Sequence, residues 1–183
     1  LMGGLAVVVD WDRQVAAQNL GPMLALAPHR ATGGSRRIGL QHAALAETFF
    51  TRDAPPESDV TTLGHLSIVG DLHLWNRSEL RSRAGGSSAT DGMNDRRLLL
   101  AAYQRSGIEF LDGLDGDFAF VIWDDRERRV IAVRDRFGMK PMFFERTPSG
   151  IRFASEPKYL VTTSTRPPTP CARSVAEYVD GRF

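Results

Sequence analysis

Two short runs of β-branched and aromatic residues flank five polar residues, and this pattern restricts the possible folds more than any other feature. Residues 118–123 read Phe-Ala-Phe-Val-Ile-Trp and residues 129–133 read Arg-Val-Ile-Ala-Val. Between them lie Asp-Asp-Arg-Glu-Arg, the polar loop that a hairpin needs. Residues 141–144 and 150–154 repeat the pattern around a Thr-Pro-Ser-Gly turn. We therefore predict two antiparallel β-hairpins in this half of the chain.

Residue periodicity predicts the remaining elements. Residues 3–10 form a short run rich in β-branched residues, as is typical of a strand buried on both faces. Residues 38–45 predict one further strand. Residues 95–107 carry apolar side chains at helical spacing, and Asn94 before them is a suitable helix cap. Ser155 is predicted to cap another short helix.

Charge and cysteine content exclude several classes of function. Lysine and arginine total 23 against 22 acidic residues, so there is no net positive field to hold nucleic acid or anionic lipid. The apolar residues 1–10 are too short to span a bilayer and lack the features of a signal peptide, so we expect a cytoplasmic protein. The single cysteine, Cys171, cannot form an internal disulfide. The four histidines show no metal-ligand spacing with it, and we expect no metal site.

Three motifs follow one another along the second half of the chain. They are L-D-G-L-D-G-D-F-A-F-V-I-W-D at 111–124, V-R-D-R-F-G-M-K-P at 133–141 and F-A-S-E-P-K at 153–158. Together they closely resemble asparagine synthetases and their relatives, and weaker matches at 28–34 and 71–80 extend the resemblance over nearly the whole chain. The resemblance implies a class II glutamine amidotransferase domain. Its fold would be the α+β, four-layer α-β-β-α Ntn-hydrolase sandwich of two antiparallel sheets.

The nucleophile of this family is missing from the sequence. In the family, an N-terminal cysteine in a segment M-C-G-I-A hydrolyses glutamine, and its own α-amine activates the thiol. The matching segment here reads Met-Gly-Gly-Leu-Ala at 2–6, so Gly3 occupies the position of the cysteine. Cys171 lies in a proline-flanked tail and is an unsuitable replacement. The resemblance therefore implies a glutaminase site without its nucleophile.

Two further site positions differ from the family. The Asn-Gly pair of the oxyanion hole matches Asp71 and Leu72, and a carboxylate there would repel the developing oxyanion. The arginine that binds the glutamine carboxylate matches Ala44, which has no charge. Only Asp95 matches a retained residue, the aspartate that binds the substrate amine. Asp95 also suits the first turn of a helix, where an acidic side chain contributes about 0.3–1 kcal/mol.

The loss of a glutaminase suits a ligase that uses an amine already present in its substrate. The relatives of this kind are β-lactam synthetases and lasso-peptide macrolactam cyclases, and residues 71–80 resemble the cyclase form D-x-R-x-D-N-R-x-E-L. In such enzymes a second domain carries an S-G-G-x-D-S loop, binds ATP and magnesium, and adenylates a carboxylate. This loop is absent from the sequence. We predict a non-catalytic domain without its own cofactor, whose partners are a synthetase domain, in cis or in trans, and a precursor peptide.

Two other functions stay open at this point. One is a stand-alone module that keeps the Ntn scaffold and binds a peptide or protein. The other is a hydrolase that uses Asp71 or Asp95, although a carboxylate without a second positioned acid or base rarely makes an amidase. An S-G-G-x-D-S sequence in the same reading frame or a neighbouring gene would favour the ligase over the module.

The proline-rich stretch at 166–170 sets the expected domain boundary. We expect residues 1–165 to form the amidotransferase-like domain, and residues 166–183 to form a linker with a short helix at 173–179 that leads to a synthetase domain. Tyr159, Leu160 and Val161 form an apolar cluster where the chain leaves the domain. They are predicted to line the interdomain interface.

Overall fold

Antiparallel pairing arranges the strands in two sheets in the computed structural model, which describes residues 3–50, 61–86, 90–163 and 169–182. The first sheet has the order β2-β3-β1-β9-β8. Its strands are β1 (Gly4–Asp10), β2 (Gly34–Gly39), β3 (Ala43–Phe49), β8 (Phe143–Thr147) and β9 (Gly150–Ala154). The second sheet keeps chain order. Its strands are β4 (Thr61–Leu63), β5 (Leu66–Leu74), β6 (Gly116–Asp124) and β7 (Arg129–Arg134).

Helices cover the outer face of each sheet. Helices α1 (Gly21–Ala25) and α4 (Pro157–Thr163) pack on the first sheet, and α2 (Arg77–Arg83) and α3 (Asp95–Ser106) pack on the second. Short 3-10 helices occupy Ala17–Leu20, Pro28–Arg30 and Gly107–Leu111. The last helix, α5 (Ala172–Val179), has no buried residue. This layering confirms the α-β-β-α sandwich predicted from the resemblance.

Alternation along β1 connects two cores. Leu5, Val7 and Val9 point toward the second sheet and pack with its inner face, whereas Ala6 points toward α1 and α4. β1 pairs with β3 on one side and with β9 on the other. It is the central strand with two buried faces that its composition predicts.

The two predicted hairpins are confirmed as β6 with β7 and β8 with β9. The single strand predicted at 38–45 is wrong, because the chain reverses at residues 40–42 and separates β2 from β3, which pair with each other. Apolar residues lie on both sides of the reversal, so their pattern does not reveal it. A third core, between the second sheet and its helices, contains the apolar face of α3.

One of the two predicted helix caps is confirmed. The Asn94 side chain accepts a hydrogen bond from the backbone N–H of Arg97 at 2.9 Å. Ser155 does not cap α4, which begins two residues later, at Pro157. Its hydroxyl oxygen instead accepts a hydrogen bond from the backbone N–H of Leu5 at 2.9 Å. Ser155 therefore connects the end of β9 to the start of β1.

The predicted interdomain cluster needs a correction. Tyr159 is 0% exposed and Leu160 is 8% exposed, because both pack in the core between α1, α4 and the first sheet. Only Val161 presents a large exposed fraction, 47%. The domain boundary at 165 and residues 166–168 of the predicted linker lie outside the described residues. The helix predicted at 173–179 is confirmed as α5. Within the described residues, no helix combines the length and the apolar character needed to cross a membrane.

The burial of Leu160 leads to a stability prediction. Leu160→Ala should lower the free energy of unfolding by about 2–5 kcal/mol, because it leaves a cavity in the core. The neighbouring exposed substitution Val161→Ala is the matched control and should change it by no more than about 0.5 kcal/mol. Urea unfolding followed by circular dichroism measures both. Equal and small changes in the free energy of unfolding for both variants would contradict the burial of Leu160.

Candidate functional site

The position that matches the family nucleophile is closed by its neighbours. Gly3 immediately precedes β1, whose first residue, Gly4, is paired with Thr48 of β3. A Cβ atom built on Gly3 would lie 2.3 Å from the carbonyl oxygen of Thr48, far inside the 3.0 Å that real Cβ contacts respect. Any side chain at this position would require the backbone of one strand to move.

An ion pair holds the backbone at Gly3 from the other side. Arg30 donates from Nη1 to the carbonyl oxygen of Gly3 at 2.9 Å and from Nε to Glu156. Nε2 of His29 lies 3.4 Å from the same Glu156 oxygen. Burial alone would raise the pKa of Glu156, but the hydrogen bond and charge of Arg30 hold it below its ordinary value. The upstream motif containing His29 and Arg30 thus meets the downstream motif containing Glu156 at the start of β1.

Asp71 and Leu72 lie next to each other on β5 but face opposite ways. Asp71 shares the inner face with Val69, which packs between the sheets, whereas Leu72 packs against the outer core under the helices. Nζ of Lys140 lies 3.1 Å from Oδ1 of Asp71. The repulsion expected from a lone carboxylate is therefore offset by Lys140. A carboxylate oxygen still cannot donate the hydrogen bond that an oxyanion needs.

Asp95, the retained position, already has a partner. It lies in the first turn of α3, and Nε of Arg77 from α2 lies 3.0 Å from its Oδ1. A substrate amine would have to displace this guanidinium. The carboxylate thus joins two helices.

Ala44 does not lie near Gly3. It pairs with Val8, four residues along β1 from the Gly4–Thr48 pair, and its side chain is buried toward α1 and α4. Because β3 runs antiparallel to β1, only the end of β3 around Thr48 reaches the start of β1. Ala44, the position matched to the substrate-binding arginine, therefore lies away from Gly3 along the sheet.

Sequence comparison missed the charged group that lies closest to this region in the sheet. Glu47 is 0% exposed and is paired with Leu5, two residues from Gly3. Its Oε2 accepts hydrogen bonds from Nε of Arg96 at 3.0 Å and from the backbone N–H of Gly70 at 3.2 Å. Its Oε1 lies 3.7 Å from Nη1 of Arg36. A glutamate directly after the apolar run Ala-Ala-Leu-Ala at 43–46 was the available signal.

This buried cluster connects three elements. Arg96 follows Asp95 on α3 and also donates from Nη2 to the carbonyl oxygen of Gly70 at 2.7 Å. Burial raises the pKa of Glu47, while the charges of Arg96 and Arg36 and the Gly70 N–H oppose that rise. Glu47 thereby holds β3, β5 and α3 together close to the start of β1.

The remaining thiol lies on a different part of the chain. Cys171 is exposed at the start of α5, where hydrogen bonds from Ser174 and the N–H of Arg173 lower its pKa. None of these partners belongs to the group around Gly3. In the described ranges, no three His, Cys, Asp or Glu side chains come close enough to hold a metal ion.

Comparison with known proteins matches the chain to one family over almost its full length. The family described as "Glutamine amidotransferase domain" matches residues 2–183. "Amidase chry2" of Gibberella zeae is 26% identical over 178 residues, which cover 93% of this chain and 26% of that protein. A "Putative asparagine synthetase [glutamine-hydrolyzing]" of Mycobacterium tuberculosis is 44% identical over 112 residues, 60% of this chain and 17% of that protein. The chain thus matches only about a quarter or less of the length of these relatives.

A solved structure shows the same fold at low sequence identity. Glutamine phosphoribosylpyrophosphate amidotransferase from B. subtilis superposes with a TM-score of 0.64 over 86% of this chain and 42% of that chain. The two sequences are 15% identical. This similarity supports the Ntn sandwich and carries no information on activity.

The Arg30–Glu156 pair leads to a prediction about pH. The pKa of Glu156 is lower in the folded chain than its ordinary value of 4.5, so the unfolded chain binds more protons between these two values. The stability that Glu156 contributes is therefore present above pH 4.5 and is lost as the pH falls through the lowered pKa. Glu156→Gln should unfold more easily than the native chain at pH 7, and the difference should shrink as the solution is acidified.

Urea titrations at several pH values measure this difference. Glu127→Gln, in the exposed loop between β6 and β7, is the matched control and should change the free energy of unfolding by no more than about 0.5 kcal/mol. A difference for Glu156→Gln that stays constant through the acid range would contradict the prediction.

Proposed function

The chain belongs to the glutamine amidotransferase domain family, and on that premise we propose that it is the catalytically silent domain of an asparagine-synthetase-like, ATP-dependent amide ligase. Its role is to complete and stabilise the ligase, and it does not supply ammonia. The substrate amine would come from the substrate itself. The ligase part of this role agrees with the names of several relatives, which are asparagine synthetases, whereas the glutamine hydrolysis that those names also state is not assigned to this chain.

The closed position of Gly3 is the observation that carries this proposal. The resemblance places the nucleophile of this family at Gly3, the residue just before β1. The carbonyl oxygen of Thr48 occupies the space that its Cβ would need. The sequence therefore has no thiol at Gly3, and the strand pairing leaves no space for one there.

The internal ion pairs support the same proposal. Asp71 and Asp95 occupy positions where the family would contact the oxyanion and the substrate amine, and each is held by a cation of the domain itself, Lys140 and Arg77. Removing one partner of such a pair leaves a charge without compensation. A glutamine molecule would have to break these pairs before it could bind.

The finer assignment is a macrolactam cyclase of the lasso-peptide type, and it is supported by sequence alone. Residues 71–80 read D-L-H-L-W-N-R-S-E-L, which resembles the cyclase form more than the N-G-E-I-Y-N of ammonia users. A synthetase domain would bind ATP and magnesium. Its S-G-G-x-D-S loop is absent from this chain, so no residue of this domain is assigned to either. The alternative assignments within the same family are a β-lactam synthetase and an asparagine synthetase.

A stand-alone binding module is the second candidate function. The observation that favours it is the number of large apolar side chains left exposed, among them Phe137 at 83% and Tyr178 at 74%. Apolar exposure of this kind marks interaction surfaces. Both candidates need a partner, and the gene context separates them, since only the ligase requires an S-G-G-x-D-S sequence in frame or nearby.

The first test is hydrolysis of glutamine by the purified chain. We expect no release of ammonia, and Gly3→Cys should not restore it, because the oxyanion donor is also absent and losing one such donor reduces the rate by about 10²–10³. Gly3→Ala is the matched control, since it adds the same Cβ without a thiol. Both variants should be destabilised alike, as the clash with Thr48 requires. Glutaminase turnover that disappears in Cys171→Ala would overturn the proposal.

The second test uses the intact ligase, meaning this chain with the S-G-G-x-D-S domain encoded in the same frame or in an adjacent gene. It should form pyrophosphate and amide product from ATP and its substrate without glutamine, and added glutamine or ammonium should not raise the rate. A requirement for either nitrogen source would contradict an amine carried by the substrate. The absence of any such domain would favour the module.

A further inference from the structure

The loop between β7 and β8 is held in one conformation by two side chains. The carboxylate of Asp135 accepts hydrogen bonds from the backbone N–H groups of Phe137, Met139 and Lys140 at 3.0, 2.8 and 3.0 Å. Arg134 donates to the carbonyl oxygens of Gly138 and Lys140 at 2.7 and 2.8 Å. These contacts explain the Arg-Asp-x-x-Gly pattern of this segment. The loop is therefore ordered from within the domain.

Gly138 is required by the same geometry. Its φ is +66°, which L side chains rarely adopt, and a Cβ there would lie 2.7 Å from the guanidinium of Arg134. Burial alone would raise the pKa of Asp135, but the backbone hydrogen bonds that it accepts lower it. Asp135 therefore stays ionised at neutral pH and keeps the loop fixed.

This ordered loop presents its apolar side chains to solvent. Phe137 is 83% exposed and Met139 is 57% exposed. Trp75, at the end of β5, is 58% exposed and shares with Phe137 an open cleft of about 270 Å³. Ordering a loop while leaving a phenylalanine and a methionine in water gains nothing for the isolated domain. It does reduce the entropy lost when a partner binds.

Two charged side chains line the cleft. Arg136 lies in the loop between β7 and β8, and Asp115 lies just before β6. Neither side chain forms an ion pair within the part of the chain that the structure describes. The other end of the loop reaches the former glutaminase site, where Lys140 pairs with Asp71. A surface bound here would therefore sit beside that site.

We propose that the surface formed by Trp75, Arg136, Phe137 and Met139, called here the docking surface, binds the synthetase domain of the same ligase. The partner would insert an apolar side chain between Trp75 and Phe137, with an acidic group facing Arg136. This inference rests on the proposed function. The lengths of the relatives support a partner of this kind, because this chain matches only 26% and 17% of two of them, and the second is named an asparagine synthetase.

The docking surface replaces the interface that sequence analysis placed at residues 159–161. Two of those three side chains are core residues, whereas the docking surface combines exposure, order and unpaired charge. The competing surface is α5, where Val175, Tyr178 and Val179 are 50%, 74% and 77% exposed. Helix α5 buries none of its residues and its Arg173–Glu177 ion pair lies within the helix itself, whereas Asp135 fixes the loop through three backbone hydrogen bonds.

Hydroxyl-radical footprinting with mass spectrometry distinguishes the two surfaces in the intact ligase. The chain alone and the ligase are oxidised under the same conditions, and the rates are read at Met139, Phe137 and Trp75. In the chain alone these residues should react readily. In the ligase Met139 should become as unreactive as Met23, and Trp75 as unreactive as Trp123, both of which are 0% exposed and serve as internal standards. Tyr178 on α5 should keep its reactivity.

Each other outcome would overturn the inference. Equal reactivity of Met139 in the chain and the ligase would show that the docking surface is free. Protection of Tyr178 alone would move the interface to α5. If Met139 is protected only after a precursor peptide is added, the surface binds substrate. If Met139 of the chain alone becomes more protected as the concentration of the chain rises, the surface binds a second copy. None of these outcomes contradicts the proposed function. The proposed function fails on a separate observation, namely that no synthetase domain is encoded in frame or nearby.

Variants test whether the contact is direct and whether loop order matters. Phe137→Ala should restore the oxidation of Met139 in the ligase, and where the two domains are separate chains it should raise their Kd by about 30-fold or more. Tyr178→Ala, the matched control, should change neither quantity. Asp135→Asn keeps the apolar side chains but weakens the loop, so it should also reduce protection. An unchanged Kd and unchanged protection in Phe137→Ala would contradict direct contact.

Discussion

The position of β1 at the centre of the first sheet is the constraint on which the rest of the site depends. β1 is paired on both edges and buried on both faces. A shift of one residue would turn Leu5 and Val7 away from the inter-sheet core, so the register is strongly held. This register places Gly3 against the Thr48 carbonyl and places Glu47 beside Leu5. The closed space at Gly3 and the position of Glu47 beside Leu5 therefore both follow from one strand pairing.

The carboxylates Glu47, Asp71 and Asp95 connect the layers of the domain through ion pairs. Glu47 joins β3 to α3 through Arg96, Asp95 joins α3 to α2, and Asp71 joins β5 to the loop that holds Lys140. Burying an ion pair contributes little net stability, because desolvation offsets the attraction. The same pairs are costly to break from one side, so they act mainly by holding elements in one arrangement.

Glu47 shows how a buried charge is held in place by its partners. Its burial is unfavourable for a carboxylate, and two guanidinium groups and one backbone N–H are required to keep it there. Here the domain supplies both signs of charge itself. The loop held by Asp135 lies at the edge of this region and directs exposed apolar side chains outward.

Much of this arrangement follows from the sequence alone, and the rest depends on contacts between distant segments. The hairpins, the central strand and the Asn94 cap depend on neighbours within a few residues, so periodicity and turn chemistry predict them. The absence of a nucleophile at Gly3 is likewise visible in the sequence. Only the tertiary structure decides that Ala44 lies at the far end of β3, that Ser155 binds β1 and that Leu160 is buried. Each of these depends on which strands pair and which faces meet, and such contacts between residues far apart in the chain leave no local pattern to read.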